Sequence, residues 1–166
     1  RRGMTEAASG EKSPIWHGDG IDIAALNQLH EDTAVARLGI LMLEAGADYL
    51  QGSMPVDART VQIHGLLHGG ASVLFAETLG SAAANHVVNQ DTHYCVGTSI
   101  SANHLRGAKA GSGDGDGLTP GTAVIGVARA ELLGRQTQVW NIEISQGEVM
   151  ICVARLGVQV LAKRGD

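Results

Sequence analysis

His68-Gly69-Gly70-Ala71-Ser72-Val73-Leu74-Phe75-Ala76-Glu77 opens a stretch that runs to about Val88 without a proline and is rich in alanine and leucine. Such a run predicts one long helix. Its small residues Ala71, Ala76, Gly80, Ala83 and Ala84 predict that this helix is enclosed on several sides by closely packed backbone. The chain after it reads as β structure, at residues 93–105, 122–133, 136–144 and 149–161. The last two segments alternate, with Trp140, Ile142 and Ile144 on one face of the first and Cys152, Ala154, Leu156, Val158 and Val160 on one face of the second. Ahead of the helix, residues 21–29 have helical spacing with Asp22 as N-cap, and residues 33–37 suit a further helical turn. Residues 38–44 and 48–56 read as strands joined around Ala45-Gly46-Ala47. One helix cannot cover both faces of a sheet this large. An α+β fold follows, an antiparallel sheet wrapped around one long central helix, with the other sheet face polar or buried by self-association.

The length of 166 residues fits one domain, expected over residues 14–166 behind a polar leader at 1–13. A net charge of −5 argues against non-specific binding to nucleic acid or an anionic membrane surface. Cys95 and Cys152 each stand alone in an apolar run, and no signal peptide or long apolar span precedes them. Free buried thiols in a reducing, cytoplasmic setting are expected. Residues 111–117, rich in Gly and Asp, read as a hairpin tip, and they lack the 12-residue ligand pattern of a calcium loop. His64 and His68 have i, i+4 spacing, but Gly65 lies between them ahead of the helix, so no zinc pair is expected. The sequence therefore predicts no metal.

Between Arg59 and Asp91 the only Asp, Glu, Lys or Arg is Glu77. A carboxylate among Phe75, Ala76, Leu79 and Gly80 either points out through a gap in the packing or is held there for chemistry, because burying it unpaired costs several kcal/mol. The glycines at the helix start bear on the choice. Backbone N–H groups there lack intrahelical partners and lie at the positive end of the helix dipole. Glycine also lets a substrate carbonyl approach them, as the polarisation of a carbonyl and the holding of an oxyanion require. Gly69 and Glu77 are separated by about 12 Å of helix rise. They can serve one carbonyl only if they come from two subunits with antiparallel helices, which predicts a dimer with composite sites.

Three pieces of the chain together resemble the glutamate-type branch of the hotdog-fold acyl-CoA thioesterases: the run from Met54 to Thr60, Gln62, and the stretch from Gly65 through His68-Gly69-Gly70 to Glu77. That branch includes thioesterases acting on 4-hydroxybenzoyl-CoA, on 1,4-dihydroxy-2-naphthoyl-CoA and in the phenylacetate pathway. The likeness extends from about Leu26 to Leu161 and takes in residues 101–106 and 138–144. It implies a hotdog fold, a homodimer or homotetramer, and hydrolysis of an acyl-CoA thioester, with an aromatic acyl group favoured. No cofactor is implied beyond the coenzyme A of the substrate. Glu77 would be nucleophile or general base, and the Gly69 N–H would polarise the carbonyl. Gln62 would contact substrate or leaving thiolate, and His68 would shape the loop before the helix. Ser81, one turn beyond Glu77, suits a hydroxyl that holds water or the carboxylate, or is simply small. Asn103, His104 and Arg106 match a segment that contacts coenzyme A, and Arg135 stands where another basic contact is usual. Ile63-His64 departs from the proline and aromatic common after the glutamine, in a segment that lines the acyl pocket. An acyl-carrier-protein thioester is an alternative substrate, and a non-catalytic acyl-CoA-binding protein an alternative role. The latter would be expected to have lost the carboxylate that Glu77 supplies.

Overall fold

A computed structural model of the protein describes residues 13–111 and 122–164. The long helix, α3, spans Gly69–Val87 and packs against β2 to β6 of a six-stranded antiparallel sheet. The strands are β1 (Leu41–Ala45), β2 (Tyr49–Pro55), β3 (His93–His104), β4 (Ala123–Leu133), β5 (Thr137–Gln146) and β6 (Val149–Ala162), in spatial order β1-β2-β4-β5-β6-β3. Two short helices, α1 (Ile23–Leu29) and α2 (Ala34–Arg37), precede them. The expected α+β hotdog architecture is therefore present. Most of the Gly/Asp-rich tip expected at 111–117, like most of the 1–13 leader, falls outside the described residues.

Alternation does what the pattern requires. Trp140, Ile142 and Ile144 of β5 and Cys152, Ala154, Leu156 and Val158 of β6 all turn to the helix and are buried. Both thiols are free and buried, and burial pushes their pKa values up. The closest approach of helix to sheet is made by glycine. Gly52 and Gly126 are register partners on β2 and β4, and a Cβ at Gly126 would come within 2.6 Å of Leu79 Cδ1 and 2.8 Å of Phe75 Cε1. Absence of side chains there opens the slot in which Phe75 and Leu79 seat the helix.

Two expectations change. Strand β1 begins at Leu41, not at residue 38, because the chain leaves α2 through Gly39 at φ +71. Gly39 N–H and Ile40 N–H bond back to the carbonyls of Ala36 and Val35, so the extended run cannot start earlier. Nor is α3 enclosed on several sides within one chain. Its small residues Ala71, Ala76, Gly80, Ala83 and Ala84 all belong to the single stripe that meets the sheet, together with Ser72, Phe75 and Leu79.

The Met54–Thr60 run has a structural part to play. Asp57 accepts from the backbone N–H of Arg59 at 2.9 Å and from its guanidinium, while the Thr60 hydroxyl donates to Pro55 O at 2.7 Å. This turn leads the chain from β2 towards the start of α3. The bond to Arg59 holds the Asp57 carboxyl below its usual range. A lowered folded pKa contributes stability that is complete above the unfolded value and lost as pH falls through the folded one. Asp57→Asn should therefore melt lower than the parent at neutral pH, and the gap should close in acid, as melting curves across pH would register.

Candidate active site

The start of α3 is shaped by His68. Its backbone is extended (φ −69, ψ 130), and its Nδ1 accepts from Gly70 N–H at 2.8 Å, making it the N-cap. With Nδ1 accepting, the neutral ring carries its proton on Nε2. His68 O takes the N–H groups of Ala71 and Ser72, and His68 N–H is tied to Thr60 O at 2.8 Å. Of the two glycine donors the sequence suggested, Gly70 is thus already occupied. The Gly69 N–H has no partner among the described residues, and it lies at the positive end of the helix dipole. His104, at the end of β3, packs its ring against Gly69, where a Cβ would stand 2.9 Å from His104 Nε2. Loss of the imidazole acceptor in His68→Ala should cost about 1 kcal/mol, the usual value of an N-cap. That corresponds to a fall in melting temperature of roughly 2–4 °C, and His68→Asn should recover most of it.

Glu77 is exposed in the single chain, so of the two placements its apolar neighbours left open it takes the one that points out of the packing. The sheet-facing stripe of α3 passes beside it, so Glu77 falls on the flank of that stripe, next to edge strand β3 and open to solvent in the single chain. On that side a cavity of about 700 Å³ is walled by Leu26, Leu29, His30 and Val35 from the α1–α2 segment and by α3, including Gly70, Val73, Leu74, Glu77, Thr78 and Ser81. Glu77 and Ser81 therefore share one cavity, in agreement with their one-turn spacing. Beneath the carboxylate runs β3, where a Cβ on Gly97 would stand 2.9 Å from Glu77 Oε1. Farther along, Asn85 clamps β3 to α3 by accepting from Cys95 N–H at 2.9 Å and donating to Cys95 O at 3.2 Å.

The remaining candidates do not gather around Glu77 within one chain. Gln62 sits in a narrow loop closed by the Val61–Leu67 bridge, Gln62 N–H to Leu66 O at 2.8 Å, and Gly65 at φ +74. Its Oε1 accepts from His64 N–H. Ile63, at the tip of this loop, is 94% exposed. Strand alternation turns His104 to the helix side and Asn103 to the outer side of β3. Arg106 is exposed beyond the end of that strand. Arg135 shares a depression with Val87 and Val88 at the C-terminal end of α3, the opposite end from Gly69 and His104. Among the described residues no group of three metal-ligating side chains is present, and no helix is long and apolar enough to cross a membrane.

Chemically, the site offers a carboxylate and a hydroxyl in an apolar cavity, and a free backbone donor at the head of the same helix. Gly97, His30 and the α1 wall escape the sequence reading because no spacing motif ties them to Glu77. Comparison with known proteins supplies the class of reaction. Residues 64–112 match the thioesterase superfamily. The chain is 42% identical to the proofreading thioesterase EntH of Klebsiella pneumoniae, over 85% of this chain and 95% of that protein. It superposes on a variant of thioesterase PA1618 from Pseudomonas aeruginosa with a TM-score of 0.81, at 40% identity over 90% of this chain and 99% of the other. For a thioesterase from Haemophilus influenzae the TM-score is 0.79, at 38% identity over 89% and 95% of the two chains. With this fold and these relatives, the chain belongs to the hotdog-fold thioesterases of the thioesterase superfamily, and it is a thioester hydrolase.

Proposed function

We propose that the protein hydrolyses an acyl-CoA thioester, with an aromatic acyl group favoured, to the free acid and coenzyme A, at sites composed of two subunits. The observation that carries this reading is the placing of Glu77 on the open, cavity-lining side of α3, with the Gly69 N–H, unpartnered among the described residues, about 12 Å away on the same helix. A partner helix running antiparallel would bring its own Gly69 towards this Glu77. Strand β3 supports such pairing, since it is a 12-residue edge strand with exposed Tyr94 and Val96, and a bare edge of that length invites another strand. Antiparallel pairing would also carry the partner's α3 C-terminal end, with its Arg135, towards the end that holds His104 and Arg106. The three could then face the phosphates of one coenzyme A.

In the general-base route, Glu77 takes a proton from water as the water oxygen bonds to the thioester carbon. The carbonyl π electrons move to oxygen, where the partner's Gly69 N–H holds the developing charge. Collapse of the tetrahedral species breaks the C–S bond, and the proton returns from Glu77 to the departing sulfur. In the nucleophilic route the carboxylate itself adds to the thioester carbon, the tetrahedral adduct expels the thiolate to give a mixed anhydride, and water then cleaves the anhydride to the free acid and the Glu77 carboxylate. Ser81 would hold the water or the carboxylate, and Gln62 and His68 of the partner would line the approach to Gly69.

Aromatic and aliphatic acyl groups, each presented on coenzyme A and on an acyl carrier protein, form the test. The expected result is faster turnover of the aromatic CoA thioesters, and faster turnover on the carrier protein would reassign the thiol. Light scattering at assay concentration should return at least the mass of a dimer. A fully active monomer would refute the composite site.

A further inference from the structure

The β3 segment under Glu77 is built around a bulge. Gly97 pairs with Val158 and Ser99 pairs with Gly157, so Thr98 is the extra residue, and its hydroxyl donates to Gly157 O at 3.1 Å. Gly157 itself leaves room for Ser99, whose Oγ would lie 2.8 Å from a Cβ at that position. Bulges bend a strand and re-aim what it carries, and they recur beside active sites. Here the bend presents the bare Cα of Gly97 to the Glu77 carboxylate.

Nothing else about position 97 calls for glycine. Its φ lies outside the left-handed region, so an alanine backbone is unstrained. A Cβ there would meet Leu156 Cδ1 at 3.4 Å, an ordinary contact, and its three nearest neighbours are all side-chain atoms. The only tight contact would be with Glu77 Oε1 at 2.9 Å, the far end of a flexible side chain. In a strand, glycine is otherwise a weak choice, because it loses more backbone freedom on folding than alanine does. The position thus gives up stability while keeping clear the space in which the carboxylate rests.

We infer that Gly97 is a positioning residue for the hydrolysis, acting through Glu77. Lacking a Cβ, and with its strand bent by the Thr98 bulge, it lets the carboxylate settle over β3 at the height and angle the reaction needs. This rests on the reading of Glu77 as the catalytic carboxylate. A methyl group at position 97 would push the carboxylate aside, and a displacement of about 1 Å at a reacting group can cost on the order of 10²-fold in rate.

The test is a double-mutant cycle of Gly97→Ala with Glu77→Asp, read by kcat, KM and melting temperature. Gly97→Ala alone should lower kcat on the order of 10²-fold, with KM little changed and the melting temperature equal or higher. On the Glu77→Asp background, where the carboxylate is one methylene shorter and withdrawn from position 97, adding Gly97→Ala should change kcat by less than about threefold. An equal loss on both backgrounds, a parent-like kcat in Gly97→Ala, or a lowered melting temperature would each overturn the inference. Glu77→Gln separates the two levels of the argument. If it is inactive while Gly97→Ala is parent-like, only the positioning role fails, whereas an active Glu77→Gln removes both.

Discussion

Replacing Glu77 by glutamine should lower kcat by about 10³-fold, within the span usual for removal of a positioned acid–base group. The fold should be unaffected. Glu77 is exposed in the single chain and lies outside the stripe of α3 that meets the sheet, so no buried partner loses a bond. Glutamine keeps the shape and removes only the ability to take a proton or to attack. KM should move little if the carboxylate acts mainly in the transition state. Steady-state kinetics with the best thioester found, set beside melting curves of both proteins, checks the pair of expectations. Unchanged hydrolysis would take Glu77 out of the mechanism.

The second large effect concerns the seat of the helix. Phe75 is fully buried against Gly126 and its register partner Gly52, and α3 rests on the sheet through it and Leu79. Phe75→Ala should cost about 3–5 kcal/mol, the range for emptying an aromatic site in a core. For a chain of this length that lowers the melting temperature on the order of 10 °C. The complementary change, Gly126→Ala, fills the slot instead of emptying it and should cost about 1–3 kcal/mol through overpacking. Because α3 carries both Gly69 and Glu77, each change should also slow turnover at temperatures where the protein remains folded. Thermal melting followed by circular dichroism measures the first effect, and kinetics well below the transition measure the second. A Phe75→Ala protein as stable as the parent would show that the glycine slot does not seat the helix.

Much of the architecture could be read from residue order because its signals are local. Alternation in residues 136–144 and 149–161 marks the strands and their inner faces, and the proline-free run after His68 marks the helix. Asp22 caps α1 as expected, through a bond between residues close in sequence, while Thr33, expected as the first residue of the next helical turn, is its N-cap. What the sequence hid is relational. The small residues of α3 looked like enclosure on several sides, since composition does not say which face a glycine or alanine occupies. They form one stripe, and the flank beside it, with Glu77, is left open in the single chain. Gly97 lies twenty positions from Glu77 on another element, and a glycine in a strand has no motif of its own. The His30 wall of the cavity is similarly distant. For His68 the sequence pointed to the right place, and the structure adds that its Nδ1 occupies Gly70 and so leaves Gly69 as the donor.

The central claim is that Glu77 of one subunit works with Gly69 of the other, and subunit mixing tests it most directly. Glu77→Gln and Gly69→Val proteins should each be nearly inactive alone. If they are unfolded and refolded together, half of the dimers that form at random are mixed, and each mixed dimer has one site with both groups intact. The account predicts recovery of about one quarter of the parent activity in the mixture. No recovery, with mixed dimers shown to be present by differential tagging, would contradict it and place both groups of each site in a single chain.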